Sequence, residues 1–572
     1  MSLGWLSALL AGVFSAHVLQ TLCFPYFWRD LLFLLKVLRY GARLELTKLT
    51  RSARTVLDRF VQQARRIPDK PFVVYEGRVH TYRDVELRSN RLANVFLDSV
   101  KLRKGDCVGL LMNNEPDFLC AWFGLAKVGC SVAFLNTNIR SKSLLHCFDC
   151  CGAKTLVVGS DLVEGLDGVL DVLLEDNIQV WAMGGPGGHP RVHTLLDKLD
   201  AASDQPVAAA LRAAASLKSP TLYIFTSGTT GLPKAAVITH LQSLKAAAGF
   251  WAFGATEDDV MYIPLPLYHS AASLIGIGGT IELGASCVLK KKFSASQFWT
   301  DCRKHNVTVF QYIGELCRYL CNQPKVHKVR MGVGNGLRQD VWREFQSRFG
   351  NIKMCEVYGS TEGNLCFMNH IGKIGTVGRS NFFYRLLFKY DLVKYDMVKD
   401  EAVKDPNGFC QRVEKGKRSA LVMEGIHAGL SLFTAETRFN SFITAQNNVG
   451  ENVATTEVTE TLGLVDFIQE VNVYGVEVQG TLGRRAWRST GGKLFEHVTR
   501  DMPPYARPLF IRLQDVMEMT STFKQQKFQL VHSGFNPSTT SDPLYVLDYQ
   551  QQSYIPLTDG IYRSIQAGER KL

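Results

Sequence analysis

From Met1 to Trp28 the chain has no Asp, Glu, Lys or Arg. Within it, Leu3–Leu22 is apolar enough to cross a bilayer as one helix, which takes about 20 residues. Leu31–Leu38 is mostly apolar again but short, which predicts an interfacial or re-entrant segment. Lys36, Arg39, Arg43, Lys48, Arg51 and Arg54 then stand against one acid, Glu45. Positive charge stays on the cytosolic side, so this bias predicts a luminal N-terminus and a cytosolic body. A cleaved signal peptide is the competing reading, and it wants a basic leader and a small-x-small cleavage site that are not evident here.

After residue 55 the pattern changes to that of a folded body. Val56–Arg66 alternates as an amphipathic helix. Val73–Tyr75 reads as a strand with a Glu76–Gly77 turn, and Asp106–Glu115 as a strand running into a loop. Phe118–Val128 is apolar on all sides, a buried helix, and Gly129–Asn136 returns to strand. Ala201–Lys218 is an Ala-rich, exposed connection. Leu241–Phe253 predicts a helix, Ser294–Gln297 a capping box at the start of another, and Val307–Tyr312 a strand. Strands alternating with covering helices predict an α/β fold with a mainly parallel sheet.

At 572 residues the chain is too long for one core, and two or three domains are expected. The net charge of +12 suits anionic partners: a membrane surface, nucleotides or acyl-CoA. Basic runs interleaved with aromatics are not evident, which disfavours nucleic acid. Fourteen cysteines are scattered, several inside apolar runs (Cys107, Cys120, Cys130). His146, Cys147, Cys150 and Cys151 have zinc-like spacing on one side only, and Cys317 and Cys321 share a helix face. Buried reduced thiols are the better reading than a metal site.

The densest chemistry lies in Tyr223, Ile224, Phe225, Thr226, Ser227, Gly228, Thr229, Thr230, Gly231, Leu232, Pro233 and Lys234. A strand over Thr221–Phe225 runs into four hydroxyls, two glycines and a lysine. Glycines let backbone N–H groups close on an anion, hydroxyls add donors, and Lys234 brings positive charge. This predicts a phosphate cradle between strand and helix, where a helix dipole favours the anion. It is not a Walker loop, because Leu232 and Pro233 separate Gly231 from the lysine. An ordinary Ser/Thr/Gly turn is the plainer alternative. Two prolines in Pro264–Ser270 stiffen the approach to Tyr268 and His269. Further on, Glu356–Gly363 ends a strand in Tyr358, a stacking face for a purine, followed by Gly359. Thr361 then offers a hydroxyl and Glu362 a carboxylate, the hard oxygen that Mg²⁺ on a triphosphate requires.

The Tyr223–Lys234 string resembles the phosphate-loop signature of the adenylate-forming superfamily. Phe134–Arg140, Leu289–Phe298, Gln311–Cys317 and Thr522–Leu530 narrow this to a resemblance to the fatty acid transport protein / very long-chain acyl-CoA synthetase family, over residues 1–416 and 450–572. The resemblance implies a membrane anchor (1–54), a large AMP-binding domain (55–416) and a small α+β C-terminal domain (450–572). It implies that His269 borders the ATP phosphates and the acyl carboxylate. It also places Asn335 and Gly336 of Val333–Arg338 against adenine, and makes Lys524 a lysine that bridges carboxylate and α-phosphate. The implied catalytic set is Lys524, His269, Thr361 and Glu362. The implied reaction joins a fatty acid to coenzyme A through an acyl-adenylate, with ATP and Mg²⁺. A bile-acid or aryl-CoA ligase is the alternative enzyme. The endoplasmic reticulum membrane is the expected location, with the peroxisomal membrane as alternative. No sequence feature sets an oligomeric state.

Two places break the pattern. The family's Thr-Gly-Asp element and its Asp-Arg hinge, ending in Trp-Lys-Gly, should precede Gly450, yet no aspartate occurs between Asp405 and Asp466. Residues 417–449 stand there instead. Then Gly480–Trp487 runs almost directly into Gly492–Phe495, so an apolar strand expected after Arg484 is missing and the small domain's sheet is truncated. This reads as a splice variant or a frame-shifted or wrongly joined segment, with divergence compensated elsewhere as the alternative. The expectation is a synthetase scaffold of weakened activity, or a fatty-acid-binding uptake protein.

Overall fold

The computed structural model describes residues 17–387 apart from 51–54, 140, 167, 185–190, 214–215, 227–232, 322–326, 360 and 362–365, with 12, 14 and 15 before them. Beyond 387 it describes 390–396, 401–412, 420–423, 431–433, 437–439, 442–445, 462, 476–477, 484–485, 491–501, 507–514 and 534–566. The chain divides into two compact units, Met1–Phe388 and Lys389–Leu572.

Two sheets build the first unit. One runs, in spatial order, His193–Thr194, Gln179–Met183, Thr155–Gly159, Cys107–Leu111, Ser131–Phe134, Pro220–Thr226 and Lys234–Thr239. All its neighbours are parallel except the last pair. The other runs Phe367–Met368, Lys353–Tyr358, Met331–Asn335, Val309–Ile313, Val260–Ile263, Ser286–Leu289, Pro71–Tyr75 and Arg78–Thr81, parallel inside and antiparallel at both edges. The expected parallel α/β architecture is therefore present. Strands such as Thr155–Gly159 and Ser286–Leu289 are buried along their whole length, as strands covered on both faces must be.

Local sequence explains the elements. Thr55 and Asp58 close a capping box on the Val56–Arg66 helix, and Thr81 with Asp84 does the same for Tyr82–Asp98. Glu76 and Gly77 turn the first hairpin with φ of 47° and 79°, the positive pair a two-residue hairpin favours. Pro116 starts the buried Pro116–Val128 helix, and Gly129 ends it at φ 88°, where a Cβ would lie 2.6 Å from the Leu211 carbonyl. The described cysteines are free, and Cys317 and Cys321 are buried on one short helix. No cluster of His, Cys, Asp and Glu suited to a metal occurs among the described residues.

Several expectations need correction. Ser294 makes no capping bond to the helix it precedes, because its hydroxyl lies 3.2 Å from that of Ser296. Leu241–Phe253 is two helices, His240–Ala247 and Gly249–Phe253. The Ala201–Lys218 connection holds a short helix, Ala210–Ala213, and buries Val207.

The N-terminal region is described only in part. Much of Leu3–Leu22 lies outside the described residues, and among these no single helix is long and apolar enough to cross a membrane. A bent pair meets the length and composition, His17–Cys23 and Phe27–Thr47, turning by 81° between them. The short Leu31–Leu38 segment sits inside one helix, Phe27–Thr50. That helix is bolted to the body by ion pairs. Asp30 receives Arg379 Nε and Nη2 at 2.7 and 2.6 Å and lies 2.9 Å from His370 Nε2. His370 stacks on Phe33 at 4.2 Å, and the Arg379 guanidinium lies over Tyr26. Tyr40 Oη donates to the Leu244 carbonyl at 2.8 Å. Arg43 then joins Arg59 on the buried Glu282 carboxylate, at 2.9 and 2.6 Å. Opposite these contacts the helix exposes Trp28, Leu32, Leu35 and Leu38, and a neighbouring helix, Phe382–Leu387, exposes Phe382 and Leu386. Phe27 against Phe383, at 5.7 Å, joins the two.

The second unit is a small α+β body. Phe510–Arg512, Leu544–Asp548 and Ser553–Pro556 form an antiparallel sheet. Leu494 and Val498 of the Gly491–Asp501 helix and Ile565 of Asp559–Gln566 share its core with Phe510, Phe535 and Val546.

Candidate active site

Four adjacent parallel strands end together: Val260–Ile263, Val309–Ile313, Met331–Asn335 and Lys353–Tyr358. The chain leaves Val260–Ile263 for a neighbour on one side, Ser286–Leu289, and returns to Val309–Ile313 on the other. Open α/β sheets bind ligands at such a reversal, outside the carboxyl ends of the strands. At or beyond these ends stand Tyr268 to Ser270, Gly314, Gly336, Tyr358, Gly359 and Thr361.

Asn114 fixes the first of them. Its amide donates to the carbonyls of Leu265 and Lys290 at 2.8 and 3.0 Å, and its carbonyl accepts from Leu267 N at 2.7 Å. Asn114 follows the Cys107–Leu111 strand of the other sheet, so one buried side chain ties the two sheets at this end. Beyond it Tyr268 is buried and its ring lies 4.7 Å from His269. The His269 carbonyl accepts from Ala272 N, Ser273 N and Ser273 Oγ. A wide π-type helical segment, Ala271–Ile277, starts there, a local geometry frequent at functional sites. Ser270 Oγ lies 3.3 Å from Thr361 Oγ1, which brings the His269 loop to the loop after Tyr358.

Glycines let the strand ends crowd. A Cβ on Gly314 would fall 1.9 Å from the Gly336 carbonyl oxygen, and one on Gly334 would fall 2.1 Å from that of Tyr312. Asn335 and Gly336 are exposed at the rim, Gly336 at φ 77°. Beneath them lies Glu356, 1 % exposed, taking Tyr312 Oη at 2.7 Å, Gly336 N at 3.0 Å and Leu337 N at 3.2 Å. Burial pushes its carboxyl up to about 8 despite these three donors. Glu115, ahead of the Pro116–Val128 helix, is pushed up to about 7 by burial and by Asp117 and Asp161, against Lys291 and Arg88.

Both folded values lie above the ordinary 4.5, so the fold holds these protons more tightly than the unfolded chain does. Their contribution to stability is full below about pH 4.5 and is lost as pH rises through 7 and 8. Urea unfolding followed from pH 5 to 9 should show this decline, and Glu356→Gln should remove its upper part. A slope unchanged in the variant would contradict the assignment.

The phosphate-loop candidate is placed differently from expectation. Its arms are a hairpin: Pro220–Thr226 pairs antiparallel with Lys234–Thr239, Thr226 opposite Lys234. Helix His240–Ala247 begins only after the return strand, so the loop is not a helix N-terminus and the dipole argument falls away. Ile224 and Phe225 are buried in the sheet's core, Tyr223 is half-buried, Pro233 is half-buried and Lys234 is exposed at the loop end of the hairpin. Thr226 Oγ1 reaches the Lys234 carbonyl at 3.4 Å. Ser227, Gly228, Thr229, Thr230, Gly231 and Leu232 lie outside the described residues, as do Glu362 and Lys524. Tyr358, half-buried, and Gly359, exposed, close the strand end, with Tyr358 6.4 Å from the Phe367 ring. The structure thus joins Ser270, beside His269, to Thr361, and joins Asn335 and Gly336 to the strand of Tyr358. Asn114 and Glu356 had no role in the sequence reading, since neither stands in a pattern of spacing that carries a signal.

This is the layout of an AMP-binding enzyme, and the AMP-binding enzyme family matches residues 60–387. The mouse long-chain fatty acid transport protein 6 is 52% identical over 623 positions, covering all of both chains. The rat long-chain fatty acid transport protein 2 is 44% identical, over 97% of this chain and 98% of its own. The chain belongs to the long-chain fatty acid transport protein family. Among solved structures, the anthranilate CoA ligase AuaEII in complex with anthranoyl-AMP shares the fold with a TM-score of 0.70, at 20% identity, covering 83% of this chain and 96% of its own. The mouse alignment spans 623 positions and this chain supplies 572 residues, so at least 51 of those positions have no residue here.

Proposed function

We propose that this chain is built as an ATP-dependent fatty acid–CoA ligase for long or very long chains, attached to a membrane and contributing to fatty acid uptake. The observation that carries the reading is the full-length likeness to long-chain fatty acid transport proteins, laid over strand ends that converge at a ligand-binding reversal. In the first half-reaction the fatty acid carboxylate attacks the α-phosphorus of ATP and pyrophosphate leaves. Negative charge grows on the phosphate oxygens, so positioned donors and cations do most of the work. Lys234 and the hydroxyls of Thr226 to Thr230 hold the β- and γ-phosphates. Tyr358 stacks on the adenine beside Asn335 and Gly336, and His269 borders the reacting carboxylate. The oxygens of Thr361 and Glu362 are of the hard type that suits Mg²⁺, which when bound offsets phosphate charge. Lys524 bridges carboxylate and α-phosphate. The thiol of coenzyme A then displaces AMP.

The membrane attachment in this reading uses the N-terminal segment as a single span, with the body on the cytosolic side of the endoplasmic reticulum. The apolar face of Trp28, Leu32, Leu35, Phe382 and Leu386, flanked by exposed Arg29, Lys36, Arg39 and Arg385, suits an anionic lipid interface. A second reading, fatty acid binding and uptake without turnover, is favoured by the positions missing against the relatives. Exchange of labelled pyrophosphate into ATP separates the two. Exchange dependent on a long-chain fatty acid is expected of the ligase, and none at any chain length would leave the binding protein.

A further inference from the structure

Glu356 is a buried carboxylate that the proposed reaction does not use. Its strand, Lys353–Tyr358, pairs with Met331–Asn335 so that Gly334 lies opposite Glu356. One oxygen accepts from Tyr312 Oη and Leu337 N, and the other from Gly336 N. Both oxygens of the group are therefore committed, and two of the three donors belong to the turn that leaves the Met331–Asn335 strand. The same turn is jammed from the other side by Gly314, where a Cβ would overlap the Gly336 carbonyl. Tyr358 stands two residues beyond Glu356, so the two side chains leave the same face of the sheet. One carboxylate thus ties the exposed Asn335–Gly336 rim to the strand that carries Tyr358.

We propose that Glu356 is a positioning residue that sets the distance between the Asn335–Gly336 rim and the Tyr358 ring, and so the slot for a purine base. This rests on reading the strand ends as the nucleotide site. The physical argument is one of acceptor number. A turn amide needs an acceptor when buried, and once ionised, above about 8, this carboxyl supplies two acceptor oxygens at this spot with no donor of its own. In Glu356→Gln one oxygen becomes an NH₂ that points at a backbone N–H, so the turn must move away on one side. Such a shift widens or tilts the slot without touching any group that holds phosphate. A carboxylate that merely satisfies the core would lower stability when replaced and leave base preference alone.

The test uses the full-length chain with AMP and CMP as probes, which share ribose and phosphate and differ in the base. Equilibrium dialysis of the parent at about pH 9, where the Glu356 carboxyl is ionised, should give a preference for AMP. Glu356→Gln should weaken AMP by about tenfold and CMP by far less, so that the preference collapses. Tyr312→Phe, which removes one donor and keeps both turn amides on the carboxylate, should fold even where the Gln variant does not, and should lose about threefold of the preference. Equal losses for the two nucleotides in both variants, or an unchanged preference alongside a lower melting temperature, would overturn the positioning role alone. A parent chain that binds neither nucleotide would overturn the nucleotide site together with it.

Discussion

Replacing residues 417–449 with the corresponding segment of a fatty acid transport protein relative should raise acyl-CoA formation by at least about tenfold. The relatives extend over at least 51 alignment positions for which this chain has no residue. No aspartate lies between Asp405 and Asp466, so the carboxylate that the family resemblance places on the ribose hydroxyls is missing. A hydrogen bond to a charged group contributes about 1.5–3 kcal/mol, which corresponds to roughly 10- to 150-fold in nucleotide affinity. That part of the gain should appear in fatty-acid-dependent pyrophosphate exchange as a lower KM for ATP. Thioester formation should gain more than exchange does, because the hinge that the family resemblance places in this stretch bears on the conformational step between the half-reactions. Measuring both activities on parent and graft separates the two contributions. If the parent already forms acyl-CoA at the rate of the graft, the missing segment has no catalytic meaning and the weakened-scaffold reading is wrong.

The sequence carried the fold class because alternation is a local signal. Val73–Tyr75 with its Glu76–Gly77 turn and the buried Pro116–Val128 helix all sit where the periodicity puts them. The phosphate loop shows where such a signal stops. Gly, Ser and Thr between a strand and a polar run fit a strand–helix junction and a hairpin equally well. The choice was made by Ala235 to Thr239 pairing back on Pro220–Thr226, which is a tertiary event. The clustering of Ser270 with Thr361 and the roles of Asn114 and Glu356 were hidden for a related reason. Each depends on neighbours tens to hundreds of residues away, which no window along the chain contains. The docking of the Phe27–Thr50 helix was hidden in the same way, because Asp30 and Arg43 find Arg379 and Glu282 far along the chain. In the folded chain they are the contacts that dock it.

Removing Asp30 should be among the most damaging single changes available in the large unit. Burial works against its charge, but Arg379 and His370 outweigh burial and hold the carboxyl below its usual range. The Arg379 side chain is itself 8% exposed. Asp30→Ala therefore leaves a buried guanidinium without its anion, a loss of about 3–5 kcal/mol. Pairing it with Arg379→Met removes the stranded charge as well, and should restore most of that loss while leaving Phe33 and Tyr26 to pack on apolar surface. The parent's own dependence on acid has a definite sign. A carboxyl with a lowered folded value stabilises above its unfolded range, and that stability disappears as pH falls through the folded value, whereas Asp30→Ala should lack this acid-side loss. Denaturant midpoints of the three proteins across pH 3 to 7 read both effects. Tryptic cleavage adds a local readout, because a released Phe27–Thr50 helix opens Arg29, Lys36 and Arg39 to the protease. An Asp30→Ala protein within about 1 kcal/mol of the parent, with cleavage unchanged, would mean that the apolar contacts alone seat the helix. Otherwise the ion pair is what fixes Trp28, Leu32 and Leu35 beside Phe382 and Leu386, and an exposed apolar face owes its shape to a buried charge.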